Sequence, residues 1–368
     1  MTDEANQVAS RRADSTQPRA AAVILAAGRS TRMKTNLPKV MHDICGRPML
    51  AFVLDACRDA GITDCYVVVG FGKEIITDAF SREPGIHFVE QREQHGTGHA
   101  VSMCADALTG FSGDIVVIAG DMPMIRSATL RELLDNHHLA GAAASIATTV
   151  LDDPFGYGRI IRDVDGAFEK IVEHRDCTPE QIEVSEVNPS YYCFGAAALF
   201  EALPRIKPDN AKGEFYITDA LAIIRGNGKL VSAMTSVPPG DAVGINSQAD
   251  LADITRLMQR RIQVGWMDCG VTIVDPENTW IDSRSRIGSE TIVKPFSYIE
   301  GSARIGAGCT VGPYAYVADA AVVADGTVVG PGRLDAFDTT ANPRARSNSA
   351  GNKDAQVVRK PPAQAGCR

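Results

Sequence analysis

No stretch of this 368-residue sequence approaches the run of about 18 apolar residues that a membrane span needs, and residues 1–19 lack the apolar core of a signal peptide. The expectation is a soluble, unexported protein. Nine cysteines are present, an odd number, and no two stand as C-x-x-C, so reduced thiols in a cytoplasm are expected. Positive charge is in deficit: 37 Lys and Arg against 45 Asp and Glu leave a formal charge of −8, which argues against a broad nucleic-acid or anionic-membrane surface. Any phosphate ligand must therefore be held locally. With 45% hydrophobic and 22% charged residues, general disorder and fibrous classes are excluded as well.

Large apolar residues are also scarce in residues 1–19 and 335–368, which read as two disordered tails, the second with local positive charge from Arg344, Arg346, Lys353, Arg359 and Lys360. Between them, residues 20–246 alternate short β-branched runs with amphipathic segments of helical length, the pattern of a parallel sheet covered by helices. Residues 21–25, 65–69, 87–89 and 114–119 are apolar on both faces, as buried central strands are. Helices are expected after Pro48, with Leu50, Val53, Leu54 and Cys57 on one face, and after Ser127, with Leu130, Leu133 and Leu134. Asp165-Gly166 lies between residues 159–162 and 168–172 as a hairpin turn, so antiparallel strands should add a second lobe and a cleft.

Residues 247–266 read as a linker helix capped by Ser247, with Leu251, Ile254, Leu257, Met258 and Ile262 as its apolar stripe. Beyond it, over residues 267–334, a period of six appears. Ile281, Ile287, Val293, Ile299, Ile305, Val311, Val317, Val323 and Val329 are all β-branched, and two residues before each stands Thr, Ser, Ala or Cys. This is a hexapeptide β-helix of about three coils: the aliphatic fills the interior of each flat side and the small residue fits where the backbone turns a corner.

Acid is absent from residues 15–42, where Arg19, Arg29, Arg32, Lys34 and Lys39 gather around the turn that follows the first strand. In an acidic protein that composition suits a polyphosphate: a glycine lets backbone N–H groups approach it, and cations neutralise it. Taken singly, Gly28 reads equally well as a turn glycine and Arg29 as a solvated charge. The sequence has neither the G-x-G-x-x-G of a dinucleotide fold nor the G-x-x-x-x-G-K-[ST] of a P-loop.

The residues from Leu25 to Met33 (Leu-Ala-Ala-Gly-Arg-Ser-Thr-Arg-Met), followed by Leu37-Pro38-Lys39, resemble the signature of sugar-1-phosphate nucleotidylyltransferases. Gln94-His-Gly-Thr-Gly-His-Ala100, Gly120-Asp-Met-Pro123, Asp153-Pro-Phe-Gly-Tyr-Gly-Arg-Ile160, Ile171-Val-Glu-His174 and Gly213-Glu-Phe-Tyr-Ile-Thr-Asp219 narrow the resemblance to the bacterial N-acetylglucosamine-1-phosphate uridylyltransferases, in order and spacing through about residue 330. The resemblance implies an α/β fold: a Rossmann-like domain with a mixed, mainly parallel sheet, then a short left-handed parallel β-helix. It implies UTP and N-acetylglucosamine-1-phosphate as substrates and Mg²⁺ as cofactor, the product feeding cell-envelope synthesis.

By the same resemblance, Arg32 and Lys39 are catalytic and hold the triphosphate, while Asp121 and Asn246 hold Mg²⁺. On their own the two would read as caps of a turn and of the following helix. Gln91, Gly96 and Thr97 are matched to the base, with Ala26 and Gly28 on its other side; without the family, Gln91 would read as part of a polar surface loop. Gly158, Glu173 and Asn188 are matched to the sugar, where Glu173 alone would read as a hairpin surface charge. His95 and His99 are expected to be structural, because a sugar phosphate is already an ionised nucleophile and needs no general base.

Two departures from the family stand out: Asn188-Pro189-Ser190 replaces its Asn-Thr-Gly, and Ser30 replaces the second glycine of the phosphate loop. The family is usually bifunctional, with a long β-helix that acetylates glucosamine-1-phosphate. Here acetyl transfer is expected to be absent and the coils to act as a homotrimerisation or capping element. The alternatives are a transferase for another nucleotide or hexose-1-phosphate, and a catalytically silent nucleotide-sugar sensor.

Overall fold

A computed structural model describes residues 19–335. The tails expected at 1–19 and 335–368 fall outside it except for their inner ends. Contacts divide the chain into two units, the first holding residues up to His42 and Pro48–Leu251, the second Asp43–Arg47 and the residues from Ala252 onward.

In the first unit, strands β1 (Ala20–Leu25), β2 (Asp64–Val69), β3 (Ile86–Glu90), β4 (Asp114–Ala119), β5 (Ala144–Val150), β6 (Gly158–Arg162), β7 (Phe168–Val172), β8 (Glu186–Gly195) and β9 (Val231–Thr235) form one mixed sheet. Its order is β9-β5-β8-β4-β1-β2-β3, with β6 joined to β8 and β7 to β6. The pairs β4-β1, β1-β2, β2-β3 and β5-β9 are parallel; β8 runs antiparallel to its neighbours. The Asp165-Gly166 hairpin joins β6 and β7 as expected, with the Asp163 carboxylate accepting from the N–H groups of Asp165 and Ala167.

Alternation along β1 and β4 sorts their side chains into two cores. Ala22, Ile24, Val116 and Ile118 pack with Leu50, Val53 and Leu54 of helix α1 (Met49–Asp59) and Leu130 and Leu133 of α4 (Ser127–Ala140). Ala21, Val23, Ile115 and Val117 pack with Val101 of α3 (Thr97–Ser102), Leu199 of α5 (Ala196–Ala202) and Leu221 and Ile224 of α6 (Thr218–Gly226). Helix α2 (Lys73–Phe80) adds Ile76 and Phe80 to the first core. Strand β3 departs from the expectation of a buried central strand. It is the sheet edge, and none of its five residues is fully buried.

Helix α7 spans Gln248–Asp268, begun by Ser247, whose Oγ accepts from the Asp250 N–H at 3.2 Å. Leu257, expected in its apolar stripe, is 44% exposed, whereas Ile254 and Met258 are buried. The same helix buries two glutamines that the stripe did not foresee. Gln259 exchanges hydrogen bonds with the Ile281 backbone (2.6 and 3.1 Å), and Gln263 donates to the carbonyls of Pro276 and Thr279 (2.9 and 2.8 Å). These side chains satisfy the open backbone of the first coil, which no strand covers from that side.

The coils themselves follow the hexads. Two- and three-residue strands stack in parallel into three sheets, pairing Ile281 with Ile299, Val293 with Val311 and Ile305 with Val323, each 18 residues on. All nine β-branched hexad residues are buried, as are the small residues two positions before them. The second unit is a short left-handed parallel β-helix. Seven described cysteines are free, whereas Cys269 is disulfide-bonded, against the expectation of reduced thiols throughout.

Candidate active site

The C-terminal ends of β4, β1 and β2 lie side by side, and a chain leaving them there cannot continue the sheet, so its backbone is left to bind ligands. After β1, residues 26–33 run into a short turn at Thr31–Met33 that ends with Lys34 in the left-handed region (φ 51°). Arg32 and Lys39 from this segment, Asp121 just after β4 and Asn246 just before α7 form one hydrogen-bonded cluster. Arg32 donates to Asn246 Oδ1 at 2.9 Å, and Lys39 donates to the same oxygen at 3.1 Å and to Asp121 Oδ2. The four residues predicted for phosphate and metal thus meet, from three distant parts of the chain.

The donor set also fits a hard divalent ion. A carboxylate oxygen and an amide oxygen, both partly open to solvent, turn toward one ammonium group, which stands as a cation shared between them. Sequence reasoning missed the residue that fixes Asn246. Asp250 Oδ2 accepts from the N–H groups of Asn246 and Ser247 at 2.8 and 2.9 Å, a helix-capping contact whose only signal was an acid in the first turn.

A cleft of about 270 Å³ adjoins the cluster, lined by Ala26, Gly28, Lys39, Gln91, Gly96, Thr97, Asp121 and neighbours, which brings every residue predicted for the base together. Gln91 is 3% exposed, and its Nε2 is engaged twice, by Gly96 O at 3.2 Å and His99 Nδ1 at 3.0 Å. The amide hydrogens are therefore used within the protein, and the side-chain oxygen is the group left to face a base N–H. His99 supports Gln91, and His95 pairs with Glu93 at 2.7 Å, so both imidazoles have structural partners.

Gly96 sits at φ 113°, and a β-carbon there would fall 2.5 Å from the Phe215 carbonyl oxygen. The same strip is sewn to residues 215–217 by Phe215 N–H to His95 O (2.8 Å), Gly98 N–H to Phe215 O (2.7 Å) and Ile217 N–H to Thr97 Oγ1 (3.0 Å). Gly28, by contrast, is open: an added β-carbon meets nothing within 4 Å.

On the other side Arg32 also lines a second cleft, of about 430 Å³, with Phe155, Glu173, Arg175, Lys212 and Tyr216. Burial pushes the Glu173 carboxyl above its ordinary pKa, with Lys212 pulling the other way. Gly158 lies against it, since a β-carbon there would be 3.4 Å from Glu173 Oε1, and Asn188 pairs with Gly158 across the sheet. Both polar ends of Asn188 are engaged in the bulge around Pro189: Nδ2 donates to Tyr192 Oη (2.7 Å) and Oδ1 accepts from the N–H of Ser190, at φ 67°. Arg159, buried and unanticipated, holds the loop beside this cleft through the carbonyls of Pro154 and Tyr157. A larger hollow, about 500 Å³, has an apolar lining with Leu108, Phe111, Phe200 and Leu203, and it contains none of the cationic cluster.

A cationic turn, a shared-cation oxygen pair and two flanking clefts at the carboxyl edge of a mixed sheet define a nucleotidyltransferase site. Residues 22–219 match the MobA-like NTP transferase domain, and the chain belongs to that family. Residues 284–319 match the bacterial transferase hexapeptide (six repeats).

Curated relatives bear the name bifunctional protein GlmU, in agreement with the family resemblance of the motifs. The protein from Pelotomaculum thermopropionicum is 44% identical over 277 residues, 75% of this chain and 60% of its own. That from Geobacter metallireducens is 46% identical over 275 residues, 75% of this chain and 58% of its own. The chain thus spans about 60% of the length of these relatives. Among solved structures, a UDP-glucose pyrophosphorylase complexed with UDP-glucose matches 66% of this chain and 99% of its own at a TM-score of 0.54 and 19% identity, a likeness of fold. Among the described residues no helix is long and apolar enough to cross a membrane.

Proposed function

We propose that the chain is a UDP-N-acetylglucosamine pyrophosphorylase, joining UTP and N-acetylglucosamine-1-phosphate to give UDP-N-acetylglucosamine and pyrophosphate. The observation that carries this reading is the single cluster of Arg32, Lys39, Asp121 and Asn246 between the two clefts. Two anions that repel each other must be held within bonding reach, so positioning and charge neutralisation are the main catalytic needs.

In this reading the nucleotide occupies the cleft of Gln91, with Ala26 and Gly28 on one side of the base and Gly96 and Thr97 on the other, and the Gln91 side-chain oxygen accepts from it. The sugar phosphate takes the second cleft, where Glu173 accepts from sugar hydroxyls, the Gly158 backbone lies close and Asn188 shapes the wall. A phosphate oxygen of the sugar phosphate attacks the α-phosphorus in line, and the bond from that phosphorus to the bridging oxygen breaks as pyrophosphate leaves. Arg32 and Lys39 stabilise the charge on the leaving group; Lys39 has only to turn its ammonium from Asp121 toward the phosphates. Asp121 and Asn246 would hold Mg²⁺, which when bound supplies a further positive charge between the phosphates.

UTP as a substrate suits a cytoplasmic enzyme. The hexapeptide coils favour self-association as a homotrimer, for which light scattering should give a mass about three times the 39.3 kDa of the chain. The deciding experiment is a pyrophosphate-release assay across nucleotides and sugar phosphates. Mg²⁺-dependent release that is fastest with UTP and N-acetylglucosamine-1-phosphate is expected. Faster turnover of another pair would transfer the reading to a related transferase, and no release with any pair would leave a silent nucleotide-sugar sensor.

A further inference from the structure

At the opposite end of β4 from Asp121, a second group of polar side chains is buried in the sheet. Asp114 is the first residue of β4 and pairs with Gly195 of β8; Cys193, two residues from Gly195, lies on the same face. Across β8 from Cys193 stands Ser145 of β5. The last turn of α4 covers these residues with His137 and His138, on a face otherwise occupied by Val116, Ile118, Ala147 and Tyr191.

The donor atoms of Asp114, His137 and Cys193 all lie within 4.8 Å of one another, and all three residues are buried. His137 Nε2 stands 3.4 Å from Asp114 Oδ1, and His138 Nε2 stands 2.5 Å from Asp114 Oδ2. Ligand atoms of one tetrahedral zinc, at bond lengths of about 2.0–2.3 Å, are separated by about 3.3–3.6 Å, so the Asp114–His137 spacing already suits two ligands of one ion. The other ring nitrogen of His137, Nδ1, is bonded to Ser145 Oγ at 2.9 Å, the outer hydrogen bond that fixes the orientation of a metal-bound imidazole. The His138 side chain, 28% exposed, gives the cluster an opening to solvent.

We propose that Asp114, His137 and Cys193 form a structural zinc site that pins the end of α4 to the sheet, with the His138 imidazole, which here hydrogen-bonds Asp114 Oδ2 and stands outside the three-donor group, turning in as the fourth ligand when the ion binds. One carboxylate, two imidazoles and one thiolate are a borderline-soft, four-donor set that suits Zn²⁺ and not Mg²⁺. On binding, the Cys193 thiol gives up its proton to solvent and the sulfur becomes a ligand; no electron is transferred. The site belongs to folding, not to nucleotidyl transfer, and it does not depend on the substrates assigned to the catalytic cluster.

The test uses the full chain, exposed to Zn²⁺ and then dialysed. Elemental analysis should return one zinc per chain, and removal by a chelator should lower the Tm by several degrees, restored on adding Zn²⁺. Loaded with Co²⁺, the protein should show tetrahedral bands with a thiolate-to-metal charge-transfer band that Cys193→Ala removes. Should Cys193→Ala fail to fold, His138→Gln, at the open edge, should still fold and bind zinc at least tenfold more weakly, while pyrophosphate release by that variant is unchanged. Zinc content at background, a cobalt spectrum without a thiolate band, or undiminished zinc affinity in His138→Gln overturns the proposal.

Discussion

In the coils Thr279 pairs with Ser297, Ile292 with Thr310 and Thr310 with Val328, each 18 positions on, whereas Arg32 reaches Asn246 across 214 positions and Lys39 reaches Asp121 across 82. The coils are close to one-dimensional: each turn of three hexads stacks only on the turns before and after it, so a role repeats wherever the period repeats. The catalytic cluster has no period. Its members share a place only because β4 and β1 are adjacent in the sheet and the segment before α7 returns to their carboxyl ends. Regularity makes a structure legible from spacing alone, whereas a site assembled from distant segments was legible here only through motifs that resemble a known family.

The sharpest way to break this contrast is to remove one residue from each unit. Asp121→Ala should lower the rate of pyrophosphate release by about 10³-fold, roughly 4 kcal/mol in the barrier, with the thermal transition little changed. A near-normal rate in a steady-state assay would detach Asp121 from the chemistry. Ile299→Ala, in the middle coil, should cost about 2–5 kcal/mol of stability in denaturant unfolding, because it empties a fully buried position between Ile281 and Val317. Its kcat below the transition should be that of the parent chain; a matching loss of kcat would mean that the coils serve the reaction.

Gln263→Ala should cost about 1–3 kcal/mol in the same unfolding measurement, since two backbone carbonyls of the first coil lose their donor in a buried setting. A value near zero would show that those carbonyls are satisfied without the helix. The smallest effect concerns Glu173. Its folded pKa is raised by burial, so the folded state binds the proton more tightly than the unfolded chain does. Stability from this group is therefore complete below the ordinary glutamate pKa and is lost as pH rises through the raised one. Glu173→Gln should raise the Tm slightly at neutral pH, with the difference fading below about pH 4; a difference that grows in acid would reverse the assignment.

The sequence reading succeeded where one physical rule governed. All nine hexad aliphatics are interior, β4 has the bounds expected, and the Asp165-Gly166 turn closes its hairpin. It fell short where two rules competed. The 87–89 run is apolar enough for a central strand, yet edge position is decided by topology, which the composition of a strand does not encode. Leu257 fits a helical stripe, but the coil edge next to α7 presents unpaired backbone and so selects Gln259 and Gln263. Around the site, the family resemblance of the motifs pointed to the cluster, while the partners that hold it, Asp250 for Asn246 and His99 for Gln91, are ordinary capping and loop residues with no pattern of their own. The group of Asp114, His137 and Cys193 was invisible for the same reason.

The stacking of the coils also constrains how that arm of the molecule can change in length. Losing a single amino acid between Ile281 and Val329 would turn every later aliphatic outward and every later corner residue into a wall, and the rest of the arm would come apart like a zip that has skipped a tooth. Removing or adding a full turn of 18 leaves all the remaining neighbours matched. Lineages of such proteins can therefore grow or shrink this arm only in whole steps, and comparisons of their lengths should fall on a ladder rather than a continuum.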